Sequence, residues 1–299
     1  MMVRKLVVEF TKMAGAGNDF VVIDNRFYHF TPGELSVLAR RYCPRRTGIG
    51  ADGLLALESP SDDADAFFMR YLNADGTTSM CGNGARCLAR FARLAGIDRD
   101  EMTFATAWGP YRARVPADPE APVRLFLPPF EAYTPDRVAR GPQGGPVDYI
   151  WTGTHHAVCR VPSVAEVPVE RDGAALRYDP AFAPEGTNVN FVEVVDAGQD
   201  GGVARLRVRT YEKGVEAETL ACGTGATAAA IVARQRGLID AETVHVDMPG
   251  GRLTIGWAGD PSRELYLEGP AEVIYRGTFE VDPRTLQESA SPPSVTTAA

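Results

Sequence analysis

Apolar positions along this chain switch repeatedly between two periods. Runs of β-branched and aromatic residues with a period of two read as strands at residues 5–10, 20–24 and 66–72, and most clearly at 204–212 (ARLRVRTYE). Helical spacing appears at 33–42, 85–95 and 226–236. Thr31-Pro32 supplies an N-cap and a first-turn proline for the first of these helices. Gly96 and Gly237 end the other two. Further strands are expected at 149–161, as a strand-turn-strand, and within 244–255 and 264–275. Residues 115–146 are rich in Pro, Gly and charge and read as short strands plus a crossover. The Ser/Pro/Thr/Ala-rich tail, 287–299, reads as disordered.

One pattern recurs. Cys81-Gly82-Asn83-Gly84-Ala85 and Cys222-Gly223-Thr224-Gly225-Ala226 are the same element about 140 residues apart, each between a strand and a helix. Upstream of each lies a strand, a Gly turn and a strand, at Gly15–Asn18 and at Gly153–His156. The repeat predicts an α/β (α+β) chain of two equivalent domains, 1–130 and 131–280, with the two Cys-Gly-x-Gly elements converging on one ligand in the cleft between them.

Length and composition set the frame. The chain has 299 residues, enough for about two domains with real cores, so folding needs no disulfide or metal staple. A formal net charge of −8 argues against nucleic acid, whose phosphates need a basic surface. The apolar run Leu6-Val7-Val8 is too short for a signal-peptide core, and no apolar stretch reaches the ~20 residues of a membrane helix. The expectation is a cytoplasmic protein that binds neither membrane nor nucleic acid. Five cysteines without a CxxC pair, beside four histidines, give neither a disulfide framework nor zinc-ligand spacing. There is no dinucleotide fingerprint, no GxxxxGK[ST] run and no serine elbow.

The repeated element carries the chemistry. A helix N-terminus offers unpaired backbone N–H groups and the positive end of the macrodipole, so it grips an anion such as a carboxylate. The same position lowers a cysteine's pKa from about 8.5 and lets it serve as base when thiolate and acid when thiol. A single such Cys would suit a nucleophile. Two symmetry-matched ones favour proton removal from one face of a carbon and return from the other. Cys43, Cys87 and Cys159 read as small buried residues. Arg86 and Arg90 read as a solvated face of their helix.

The residues also match a known group. Lys12-Met13-Ala14-Gly15-Ala16-Gly17-Asn18-Asp19-Phe20, Gly48-Ile49-Gly50-Ala51-Asp52-Gly53, Asn73-Ala74-Asp75-Gly76 and the Cys81 element resemble the diaminopimelate epimerase family. So do Gly186-Thr187-Asn188-Val189-Asn190-Phe191, Tyr211-Glu212 and Glu218-Thr219-Leu220-Ala221-Cys222-Gly223-Thr224-Gly225 in the second half. The resemblance implies two pseudo-symmetric domains, each a mixed or antiparallel sheet curled into a barrel around a central helix. It implies an isomerase that interconverts LL- and meso-diaminopimelate for lysine and peptidoglycan synthesis, without pyridoxal phosphate, metal or other cofactor, acting as a homodimer. Cys81 and Cys222 match the proton-transfer pair, and His156 and Glu212 the groups that assist them. Gly82, Asn83, Gly223 and Thr224 match the backbone cradle for the reacting carboxylate. Asn18, Asn73 and Asn188 match substrate-binding positions, and Lys213 stands at a substrate contact where the family often has Arg. A racemase or epimerase of another amino acid is the alternative, motivated by Lys213 and Thr154.

Overall fold

The structure, a computed structural model, describes residues 5–198, 202–257, 264–284 and 286; the tail expected to be disordered, 287–299, lies outside them. The chain divides into two units, Met1–Val123 with Ala271–Ala299, and Arg124–Pro270. The sequence reading had put the change near residue 130 and let the second half run to 280.

In the first unit, β1 (Leu6–Gly15) and β2 (Asn18–Asp24) form an antiparallel hairpin. It turns through Ala16 and Gly17 at φ 52° and 92°, a left-handed pair that glycine favours. A short α1 (Asn25–Tyr28) and then α2 (Pro32–Tyr42) lead to β3 (Gly53–Glu58), parallel to β2. Thr31 and Glu34 close a capping box at the start of α2. Antiparallel β4 (Phe68–Asn73) follows, and α3 (Gly82–Leu94) crosses to β5 (Glu101–Thr106) beside β4, which turns into β6 (Gly109–Arg114). β7 (Val123–Phe126) carries the chain onward.

The second unit repeats this order. An edge strand β8 (Glu131–Val138) flanks the hairpin β9 (Val147–Trp151) and β10 (His155–Arg160). Helix α4 (Val169–Arg177) crosses to β11 (Asn188–Asp196), parallel to β10, and β12 (Ala204–Glu212) returns antiparallel. A short β13 (Ala217–Thr219) folds back on β12, and α5 (Gly223–Gln235) then crosses to β14 (Thr243–Met248), parallel to β12. Strands β15 (Gly251–Trp257) and β16 (Leu265–Gly269) complete the sheet. The last strand, β17 (Glu272–Val281), runs antiparallel to β1, as β8 does to β9. The first unit thus borrows its edge strand from the chain's far end, which is why the second unit stops at Pro270.

Strand β2 is buried on both faces, which explains its unbroken apolar run Phe20-Val21-Val22-Ile23. Val21 and Ile23 join Leu35 and Leu38 of α2 in one core cluster, whereas Phe20 meets the first turn of α3 on the other side. Helix α3 lies against β1 to β4, and α5 against six strands of its own unit. Both sheets therefore wrap a central helix, yet hydrogen bonding among the described residues does not close them into barrels. Among the described residues no helix is long and apolar enough to cross a membrane.

The wrapping overturns one expectation. Arg86 and Arg90 are not solvated: they are 0% and 2% exposed, because residues 83–90 of α3 are buried on every side. Arg90 is accommodated by donating to the carbonyls of Pro116 (2.5 Å) and Ala121 (2.8 Å). Cys43, Cys87 and Cys159 are buried, as read, and burial pushes the first two thiols up to about 12.

Gly173 of α4 marks a close helix–sheet approach in the second unit. A Cβ there would lie 2.4 Å from Cβ of Tyr211 on β12. Alanine ordinarily gains about 0.5–1 kcal/mol over glycine inside a helix. Here the overlap should reverse the sign, and Gly173→Ala is expected to lower stability by about 1–3 kcal/mol. Urea unfolding of the two proteins checks this; an unchanged or raised midpoint would refute it.

Candidate active site

Each central helix opens on a cysteine. Cys81 caps α3 at φ −138°, ψ 116°, and Cys222 caps α5 at φ −131°, ψ 105°. The helices begin earlier than periodicity suggested, at Gly82 and Gly223. Both Gly-x-Gly segments therefore form the first helical turn, where N–H groups have no intrahelical partner. Cys81 is half-buried and Cys222 buried. The Gly84 N–H donates to Cys81 Sγ at 3.4 Å, and Cys222 Sγ lies 3.5 Å from Thr224 Oγ1. A side chain at Gly225 would strike Asn190 Oδ1 at 2.3 Å and press on Cys222 Sγ at 3.2 Å, so only glycine fits.

Around Cys81 the support is a charged network. Arg86 Nη2 donates to Asn83 Oδ1 (2.8 Å), Asn83 Nδ2 to Asn18 Oδ1 (2.8 Å), and Asn18 Nδ2 to Asp52 Oδ2 (2.9 Å). A donor-only guanidinium at one end and an acceptor carboxylate at the other fix the direction of both amides between them. Asp19 and Asp52 exchange backbone N–H bonds across β2 and the start of β3. Arg45 bridges both carboxylates at 2.6–2.7 Å, and Lys12 reaches Asp19 at 2.7 Å and also bonds the Gly50 carbonyl. Asn73 ends β4 in the turn before Cys81, donating to Thr77 Oγ1 at 3.0 Å.

Around Cys222 the support is mostly neutral. Thr152 Oγ1 donates to the Thr224 carbonyl at 3.0 Å, tying the β9–β10 turn to the helix start. His156 is fully buried on β10, and its Nδ1 lies 3.0 Å from Asn190 Nδ2. Burial, reinforced by His155 and Lys213, drives its pKa down to about 3. Asn188 joins three segments: its Nδ2 donates to the His155 carbonyl and its Oδ1 accepts from the Lys213 N–H, both at 2.9 Å. Lys213 Nζ contacts the Glu185 carbonyl at 3.5 Å, and burial lowers its pKa. Glu212 ends β12, half-buried. Asp52, Arg86, Thr152, Asn190 and Thr210 were not singled out as site residues from sequence. For Asn190 the signal was available: Asn188 and Asn190, two apart on one strand, share a face.

Relatives and structures align with nearly the whole chain. The sequence model of the family described as diaminopimelate epimerase matches residues 10–124 and 149–274. A diaminopimelate epimerase of Chlorobaculum tepidum is 41% identical over 270 residues, covering 89% of this chain and 99% of that one. One from Thioalkalivibrio sulfidiphilus is 40% identical over 289 residues, covering 92% and 99%. Among solved structures, a PhzF-family phenazine biosynthesis protein of Bacillus anthracis superposes with a TM-score of 0.68 at 14% identity, covering 92% of this chain and 99% of that one; this likeness speaks to fold alone.

Two expected outcomes follow from the charged network. Burial disfavours the Asp19 carboxylate, but hydrogen bonds from Arg45 and Lys12 outweigh it and hold the group at about 2, below its ordinary 3.8. A depressed carboxylate contributes stability above its unfolded pKa and loses it as pH falls toward the folded value. The stability gap between the protein and Asp19→Asn should therefore be full above about pH 4 and shrink toward pH 2. Denaturant titrations along that range test it, and a gap independent of pH would refute the assignment. Arg86 is a fully buried cation whose Nε and Nη1 have no hydrogen-bond partner among the described residues. Burying a cation with unanswered donors is costly, and an apolar side chain of similar length removes that cost while leaving one acceptor, Asn83 Oδ1, unanswered at about 1–3 kcal/mol. Arg86→Met should keep or raise the unfolding midpoint; a loss of several kcal/mol would mark Arg86 as a structural strut.

Proposed function

The chain belongs to the diaminopimelate epimerase family, and we propose that it interconverts LL- and meso-diaminopimelate by transferring protons at Cα between two cysteines. The observation that carries the reading is the duplicated cap: Cys81 and Cys222 occupy equivalent positions of two matching units, with near-identical backbone angles, at the start of enclosed helices.

One thiolate takes the α-proton, which becomes its S–H. The electron pair left on Cα delocalises into the carboxylate, and the second thiol protonates the carbon on its opposite face. The substrate leaves inverted with its atoms conserved, and the two sulfurs have exchanged protonation states. First-turn N–H groups of α3 and α5 are the donors for the charge that grows on the carboxylate. Such preorganised donors are worth most where charge develops in the transition state. Gly82, Asn83, Gly223 and Thr224 serve this cradle; Asn18, Asn73, Asn188 and Lys213 hold the remaining polar groups of the substrate; His156 and Glu212 set the state of the thiols. The scheme calls on no cofactor or metal. Lysine and peptidoglycan precursor synthesis, a cytoplasmic location and a homodimeric assembly accompany the reading.

Cys81→Ala and Cys222→Ala are each expected to cut epimerisation by about 10³-fold or more with circular dichroism unchanged. In D₂O the unaltered protein should place deuterium at Cα of diaminopimelate and not of other amino acids in a panel. Full activity in either Ala variant would sink the two-thiol scheme. Exchange on a different amino acid alone would move the substrate assignment to that compound.

A further inference from the structure

His156 is the buried titratable group whose protonation state the hydrogen-bond geometry fixes. It lies on β10, and Asn190 and Thr210 stand opposite each other on β11 and β12. All three side chains have no exposed surface. Asn190 Nδ2 lies 3.0 Å from the Ala157 carbonyl oxygen, and Thr210 Oγ1 donates to Asn190 Oδ1 at 2.9 Å. A backbone carbonyl can only accept, so the amide end facing Ala157 is the NH₂ group. That same NH₂ group faces His156 Nδ1 at 3.0 Å. Two N–H groups cannot point at each other, so Nδ1 carries no proton and accepts the bond. The ring then holds its single proton on Nε2. Nε2 in turn has no hydrogen-bond partner among the described residues. A buried donor in that state is costly, and a purely structural histidine would avoid it by turning or pairing.

We propose that Asn190 is a positioning residue that holds His156 in the neutral, Nε2-protonated form, so that the ring serves the site as a hydrogen-bond donor and not as its base. The titratable groups that act on the ring, His155 and Lys213, both oppose a second positive charge beside them, in keeping with this state. The protonation state stands on the hydrogen bonds alone. Its use rests on the reading of the second unit's residues as part of an epimerase site. There, an Nε2–H donor steadies negative charge, on a thiolate or on the substrate carboxylate, at no cost in reorganisation.

Long-range ¹H–¹⁵N spectra of the full chain with ring-labelled histidine test the state directly, the His156 signals being assigned by their loss in His156→Gln. The expected result is an unprotonated Nδ1 and a protonated Nε2, unchanged across about pH 5–8, where an ordinary imidazole titrates. A titrating ring, or a proton on Nδ1, would overturn the proposal. Asn190→Asp places an acceptor against Nδ1 and should move the proton there and bring the ring into titration. A folded Asp variant with the original pattern would show that Asn190 does not set it; should that variant fail to fold, the spectra of the unaltered chain still decide the ring's state. The donor role is read from His156→Gln, which keeps an N–H, against His156→Leu, which has none. Gln should retain activity within about tenfold while Leu loses 10²-fold or more in kcat. Equal loss in both, or full activity in both, would refute the donor role, whereas the two-thiol scheme is judged separately by the cysteine variants.

Discussion

The structure depends on enclosing most of a helix within the strands of each unit. An enclosed helix cannot spend its polar ends on water, and its first-turn N–H groups must be answered by something in the protein or by a ligand. A Ser or Asp cap would answer them with a strong acceptor. Both helices here are capped by cysteine, a weak acceptor; the Gly84 N–H meets Cys81 Sγ at 3.4 Å. Such a cap answers the first-turn N–H groups less strongly than a hydroxyl or carboxylate would. The same enclosure dictates the composition of α5, whose run Ala226-Thr227-Ala228-Ala229-Ala230 is buried throughout and uses small side chains where strands press from several sides.

Much of this was legible in the sequence because the duplication is written twice. Two copies of Cys-Gly-x-Gly-Ala, each after a strand and before a helix, gave the repeat, the helix starts to within three residues and the candidate thiols. Strand β12 was read to the residue, since its alternation is that of a strand with one face in a core. What failed has physical reasons. Strand β3, Gly53–Glu58, is buried on both faces, so it lacks the alternation that announces a strand. Helix α4 carries Gly173 at its centre, and that glycine answers to Tyr211, a tertiary neighbour that no local pattern encodes. The placement of β17 beside β1 is a pairing across most of the chain's length, invisible to any window.

Arg86 and Arg90 teach a narrower lesson. Helical periodicity separates an apolar stripe from a polar one, and the polar stripe is usually the wet one. Inside a wrapped sheet that inference breaks. The polar stripe of α3 faces other protein: Arg90 finishes two loop carbonyls, and Arg86 starts the chain of amides that ends on Asp52. Enclosure turns what sequence rules assign to solvent into the internal polar framework of the site.

The two units share a scaffold but not a polar chemistry. Around Cys81 the supports are ions, with Lys12, Arg45 and Arg86 set against Asp19 and Asp52. Around Cys222 they are chiefly amides, hydroxyls and a neutral imidazole, with Thr152, Asn188, Asn190, Thr210 and His156 joined by bonds of 2.9–3.0 Å. Duplication preserved what the backbone does, namely a crossover helix that opens on a cysteine cap. It did not preserve the side chains that surround that start. The repeat constrains the backbone at the cap and the first helical turn, where the two units agree closely, and leaves the side chains packed around it to vary.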